Sequence, residues 1–131
     1  MAMMHLLAVL TLLTATATAA PSESEKESIR NIVDSSGPML GMLLECDALP
    51  LYAQYTAALS DAMHAYPGTD PAKVRALLRK IERQAEVLGS LGMKRIPNPT
   101  PEEIENHQEL CQLHARMATN SLQKLDDFIL K

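Results

Sequence analysis

Residues 70–92, DPAKVRALLRKIERQAEVLGSLG, decide the fold because their apolar side chains recur with the period of an α-helix. Thr69 or Asp70 can cap the N-terminus of this helix, and Pro71 suits its first turn. Two glycines at the far end are typical of a helix C-terminus. The segment therefore predicts an amphipathic helix packed against a helical core. Its expected buried stripe contains Val74, Leu77, Leu78, Ile81, Ala85 and Leu88.

An earlier segment predicts a first helix with a kink. Residues 22–25, SESE, form a capping box, in which a serine and a glutamate satisfy each other's free amides. The apolar stripe keeps its phase across Gly37 and Pro38, so we predict that the proline kinks this helix and does not begin a new domain. The stripe consists of Ile29, Ile32, Val33, Met39, Leu40, Leu43 and Leu44.

Two more segments have helical periodicity. Residues 51–66 precede a Pro-Gly pair that ends a helix, and residues 100–129 begin with a TPEE signature that starts one. The inward positions are expected to be Tyr52, Tyr55, Leu59, Met63 and Tyr66 in the former and Ile104, Leu110, Cys111, Ala118, Leu122, Leu125 and Ile129 in the latter.

These segments together predict an all-α protein, a four-helix antiparallel bundle with a kinked first helix and one disulfide. The chain has two cysteines, Cys46 and Cys111, and an even count in an exported protein predicts that they pair. The bond would join the end of the first helix to the middle of the last, and these two helices are neighbours in an up-down bundle. On the chain-entropy view it contributes roughly 3–4 kcal/mol to the free energy of unfolding.

The N-terminus has the pattern of a signal peptide. An apolar run from Leu6 to Leu13 is followed by small residues, and Ala17-Thr18-Ala19 matches a cleavage site. We predict a signal peptide at residues 1–19 and a single helical-bundle domain at residues 20–131. The apolar run is shorter than the about 20 residues that span a bilayer. We therefore expect no transmembrane anchor and a periplasmic or extracellular location.

Basic side chains concentrate in residues 70–95. This part has seven basic and three acidic residues, a net charge of +4, whereas the whole chain has −4 and the remainder therefore −8. Three of the arginines step by four along one outer ridge of the helix, opposite its apolar stripe. The ridge is either a solvated face paired locally with Glu82 and Glu86, a docking surface for an acidic partner, or a contact with an anionic membrane. The candidate partner-binding residues are Lys73, Arg75, Arg79, Lys80 and Arg83.

The last helix offers a second candidate site. His107, Cys111 and His114 fall within roughly 60° of one another around the helix, and Met117 lies at their flank. Imidazole and sulfur ligands suit copper, nickel or zinc, and a haem between helices is a further alternative. The two histidines are about 10 Å apart along the axis, so each would need ligands from another helix. Alternatively, the histidines are structural and the methionines fill gaps in the core.

Other function classes lack their signatures. A net charge of −4 does not supply the basic excess of a nucleic-acid binder. The sequence contains no Gly-x-Ser-x-Gly, HExxH or CxxCH motif and no phosphate-binding glycine loop. We therefore predict a small exported binding protein without enzymatic activity, of the inhibitor, immunity, chaperone or adaptor type. Its expected partner is another exported protein with an acidic surface, and the alternative is a metal- or haem-binding bundle that uses His107, His114 and methionines.

Overall fold

The computed structural model describes residues 20–130. This part of the chain contains five α-helices and one short 3-10 helix, joined by turns and loops. The predicted signal peptide, residues 1–19, lies outside the described residues. No β-strand occurs in the described part, so the all-α prediction is confirmed. The helices are α1 (Glu23–Asp34), α2 (Ser36–Glu45), α3 (Leu49–Ala65), α4 (Pro71–Gly89), the 3-10 helix η1 (Gly92–Arg95) and α5 (Pro101–Ile129).

The predicted kinked helix is divided into α1 and α2 at Ser35, so the described chain has five α-helices where the sequence predicted four. Pro38 has no N–H to donate to the carbonyl of Asp34, and this removes one rung of the helical ladder. Two hydroxyls compete for the preceding carbonyls, since Ser35 Oγ donates to Asn31 O at 3.0 Å and Ser36 Oγ to Ile32 O at 2.6 Å. Proline and serines together therefore break the helix.

Side-chain caps begin three of the helices as the sequence predicts. Thr100 and Glu103 form a complete capping box on α5, and this hydrogen bonding lowers the pKa of the Glu103 carboxyl. Of the two candidate caps of α4, Thr69 and Asp70, the structure has Asp70 in this role. Its carboxylate accepts from the N–H of Ala72. On α1 the hydroxyl of Ser22 accepts from the N–H of Glu25.

Two helix pairings build the core: α2 packs most closely on α4, and α3 packs most closely on α5. The α2–α4 contact is close because glycines face each other's helix. A Cβ on Gly41 would lie 2.8 Å from Leu88 Cβ, and a Cβ on Gly89 would lie 2.9 Å from Leu44 Cβ. The core side chains with the least exposure are Leu40, Leu43, Tyr55, Leu59, Ala62, Ala85, Ala118 and Leu125.

Three residues predicted to be buried are exposed. In α5, Ile104 and Leu110 are each 42% exposed, whereas the buried residues of this helix all lie from Ala118 onward. The 29 residues of α5 exceed the 17 of its main partner α3, so the first turns of α5 extend beyond α3 and are only partly covered. Leu77 of α4 is 39% exposed because it faces a groove and not the core. The other predicted stripe positions are buried or half-buried.

Candidate functional site

The disulfide Cys46–Cys111 forms as predicted, with a Cα–Cα distance of 5.7 Å. Cys46 lies directly after α2, and Cys111 lies in the first half of α5. The bond therefore ties the first half of α5 to the end of α2.

A groove runs between α1 and α4. Two adjoining cavities of about 370 and 160 Å³ form it, and both are bordered by Val33, Asp34 and Leu77. The groove exists because α1 packs on α5 and α2, whereas the principal contact of α4 is with α2. Its apolar lining consists of Ile29, Val33, Met63, Val74, Leu77 and Ile81.

Cations stand along the edges of this groove. Arg30 and Lys73 border the larger cavity and Lys80 the smaller one. Asp34 and Asp70 are the acids among the lining residues, and Asp70 already accepts from the N–H of Ala72 as the cap of α4. The edge thus combines open apolar surface with a positive balance of charge.

The five predicted partner-binding residues are all exposed, but the structure separates them into two groups. Lys73 and Lys80 border the groove and lie seven residues, about two turns, apart on one side of α4. The three arginines are absent from the groove lining and follow the outer surface of the helix. The three are Arg75, Arg79 and Arg83.

The two acids of α4 lie on its side towards α3. Burial raises the pKa of the Tyr52 phenol of α3, and the negative charges of Glu82 and Glu86 raise it further. Neither glutamate borders the groove. Within α4 the two glutamates therefore lie away from the lysine edge, and the acid nearest that edge in sequence is the N-cap Asp70.

A second cluster forms around His107, where the first half of α5 meets the end of α2. Its Nε2 lies 3.5 Å from Cys111 Sγ, and its Nδ1 lies 3.7 Å from Glu45 Oε1. Ligand atoms of Cys46, His107 and Cys111 all lie within 4.8 Å of one another. Glu45 also accepts a hydrogen bond from the N–H of Met93 in η1 at 2.9 Å.

The other two predicted metal ligands lie outside this cluster. His114 Nδ1 is 2.9 Å from Leu110 O, and because a carbonyl only accepts, this nitrogen carries the hydrogen. Met117 is 44% exposed. The structure thus brings His107 together with the two cysteines and Glu45, and not with His114 and Met117.

Sequence reasoning missed the groove and Glu45. The groove depends on how far α1 stands from α4, and no local pattern encodes that spacing. Glu45 had a weak signal, since it directly precedes Cys46. Comparisons with known protein families, characterised proteins and solved structures find no match to this chain. Among residues 20–130, no helix has both the length and the apolarity to cross a membrane.

Proposed function

We propose that this chain is a small exported binding protein without enzymatic activity, which holds an acidic amphipathic helix of another exported protein in the groove between α1 and α4. The single observation that carries the proposal is that an open apolar groove has Lys73 and Lys80 along one edge. Inhibitor, immunity, chaperone and adaptor roles all use such a surface. The proposal includes export through the signal peptide at residues 1–19 and a periplasmic or extracellular location.

As part of the same proposal, α1 and α2 act as one broken arm of a four-helix antiparallel bundle. Backbone hydrogen bonds bridge the break, since Ser35 N–H donates to Asn31 O and Met39 N–H donates to Ser35 O, both at 3.2 Å. We infer that a bend at Ser35 turns α1 away from α4 and leaves the groove between them. In this view the break in the first helix produces the binding surface.

The chemistry of the groove favours a helical occupant. The distance from Lys73 to Lys80 along α4 is about 10 Å, which matches two turns of a bound helix. Apolar anchors at positions i, i+4 and i+7 of that helix would contact Val33 and Leu77, which line both cavities of the groove. Acidic residues flanking the anchors would pair with the two lysines and with Arg30.

The outer arginines Arg75, Arg79 and Arg83 have a different role in this proposal. They extend the positive potential beyond the groove, which accelerates encounter with an acidic partner and makes the association rate depend on salt. Because they do not line the groove, they contribute less to the lifetime of the complex.

Site-specific photo-cross-linking in the exported fraction of the host tests the proposal. A photoreactive side chain replaces Leu77 in one protein and Leu110 in the matched control, because the two leucines are 39% and 42% exposed. We expect the first to cross-link one polypeptide through an acidic amphipathic helix and the second to give no such product. Equal cross-linking from both positions, or a cross-linked segment without acidic residues, contradicts the groove as the binding site.

Charge reversal then separates the two groups of cations. Two double variants change the net charge by the same amount. One combines Lys73→Glu with Lys80→Glu, and its matched control combines Arg75→Glu with Arg79→Glu. For a synthetic peptide of the cross-linked helix, we expect the lysine pair to weaken affinity at least about tenfold, mainly through faster dissociation. The arginine pair should mainly slow association. Equal losses in both pairs would mean that the groove does not hold the partner.

A further inference from the structure

The disulfide and His107 share the wall of an open surface cavity. The cavity has a volume of about 510 Å³ and is bordered by Glu45, Cys46, His107 and Cys111 together with polar side chains. Both cysteines and the histidine are half-buried. A small ion or a reductant can therefore reach the sulfur atoms from solvent.

The ring of His107 is directed at two different partners. Its Nε2 faces Cys111 Sγ at 3.5 Å, and its Nδ1 faces Glu45 Oε1 at 3.7 Å. The side chains of His107 and Glu45 are only 20% and 10% exposed. In metal-binding histidines a carboxylate commonly stands at the ring nitrogen that does not bind the ion. Glu45 stands on that side of His107, 3.7 Å from Nδ1.

Glu45 is itself held in place. Its Oε1 accepts from the N–H of Met93 at 2.9 Å, and it occupies the space where a side chain at position 92 would stand. Gly92 has a φ of +84° and no Cβ, so the η1 turn can approach the carboxylate closely. The carboxylate beside His107 is thus positioned by the backbone of η1.

We propose that reduction of Cys46–Cys111 converts this cluster into a zinc site. Two electrons and two protons from a dithiol break the S–S bond and form two thiols, while the dithiol closes to its own disulfide. Zn²⁺ then binds Cys46 Sγ, Cys111 Sγ and neutral His107 Nε2, and the two thiol protons leave to solvent. Water from the cavity takes the fourth position, as in zinc sites with three protein ligands.

The present geometry is close to what zinc requires. Tetrahedral bonds of about 2.3 Å to sulfur and about 2.0 Å to nitrogen place these two ligand atoms about 3.5 Å apart. The distance between Cys111 Sγ and His107 Nε2 already has this value, 3.5 Å. The two sulfur atoms must separate from the S–S bond to about 3.8 Å. Cys46 Sγ starts within 4.8 Å of the other two ligand atoms. The protein would therefore exchange a covalent link for a metal link between α2 and α5, according to redox conditions.

Cobalt titration of the purified chain tests this inference. The chain is reduced with a phosphine, which takes oxygen from water to become the phosphine oxide and does not compete for metal as a dithiol does. We expect one Co²⁺ per chain, with a thiolate-to-cobalt charge-transfer band and the visible bands of tetrahedral cobalt, and displacement of this cobalt by Zn²⁺. The oxidised chain should show no such band.

Variants assign the ligands. His107→Ala should lower the affinity at least about 100-fold, and Glu45→Gln should lower it about 10- to 100-fold with unchanged stoichiometry. His114→Ala is the matched control and should bind as the wild type does. Cys46→Ser with Cys111→Ser should abolish the charge-transfer band.

Three outcomes would overturn the inference. They are unchanged affinity in His107→Ala, no cobalt binding by a reduced chain that keeps its helical circular dichroism, and loss of that helical signal on reduction without recovery on adding Zn²⁺. None depends on a protein partner, so the result is independent of the proposed binding function.

Discussion

At the residue scale, the most unusual core side chain is Tyr55. It is 0% exposed, and its hydroxyl makes no hydrogen bond among the described residues. Burial raises the pKa of this phenol, and the nearby hydroxyls of Ser36 and Ser121 only partly oppose that shift. The hydrogen of Ser36 is used elsewhere, since its Oγ donates to Ile32 O at 2.6 Å. The cost of desolvating the tyrosine hydroxyl is therefore offset only in part.

Tyr55→Phe should consequently leave the protein as stable as before or more stable, by up to about 1 kcal/mol. The substitution removes a buried polar atom that has no partner and preserves the ring that fills the core. Urea unfolding followed by far-ultraviolet circular dichroism measures the change. Leu59→Ala, at another fully buried position of α3, is the control and should cost about 2–5 kcal/mol. A loss of 2 kcal/mol or more in Tyr55→Phe would indicate that the hydroxyl is bonded in solution.

At the element scale, the contact between α2 and α4 depends on the absence of side chains. Gly41 and Gly89 each lack room for a Cβ, because the neighbouring atoms belong to the facing helix and include backbone. Gly37 of α2 differs, since the obstacle there is the end of the exposed, flexible Gln84 side chain. In α2, close packing against α4 therefore requires Gly41 but does not require Gly37.

This difference predicts opposite signs for the same substitution within α2. Gly41→Ala should destabilise the protein by about 1–3 kcal/mol, because the helices must move apart. Gly37→Ala should be neutral or stabilising by up to about 1 kcal/mol, because alanine favours the helix and Gln84 can swing into solvent. Thermal unfolding of the two variants measures both effects. Equal changes in the two would mean that the α2–α4 distance does not depend on Gly41.

At the scale of the whole molecule, the disulfide connects the well-packed part of the fold to the exposed start of α5. The linked cysteines are 65 residues apart, so the bond restricts a large part of the unfolded chain. Around it the apolar side chains of α5 remain exposed at Ile104, Leu110, Leu113 and Met117.

Cys46→Ala with Cys111→Ala should lower the free energy of unfolding by about 4 kcal/mol, the entropic effect of opening that loop. Helical content should remain near the wild-type value at 25 °C, because the buried residues of α5 begin at Ala118, seven residues beyond Cys111. Chemical unfolding of the variant and of the oxidised wild type measures the difference, and Ser90→Ala provides an exposed control. A fully unfolded double variant would show that the core cannot hold the helices without the bond.

The amino-acid sequence by itself determined the helical segments and the side-chain caps that begin three of the helices. Asp70 and Thr100 cap α4 and α5 through contacts within a few residues, and the period of Val74, Ile81 and Ala85 reports which side is buried. Such features depend on local hydrogen bonding and on the 3.6-residue turn, so they can be read along the chain. The pairing of two cysteines in one chain was likewise open to prediction.

The tertiary structure alone decided what these helices leave uncovered. The same helical period predicted that Leu77 and Leu110 are buried, but both are exposed. A side chain is buried only where another helix packs close to its own position along the axis. The same requirement separates Lys73 and Lys80, which border the groove, from the outer arginines. It also places His107 beside Glu45, 62 positions earlier in the numbering. The periodicity of a sequence predicts the direction in which a side chain points from its own helix axis. A site also depends on the distances between the axes of different helices, and only tertiary packing sets those distances.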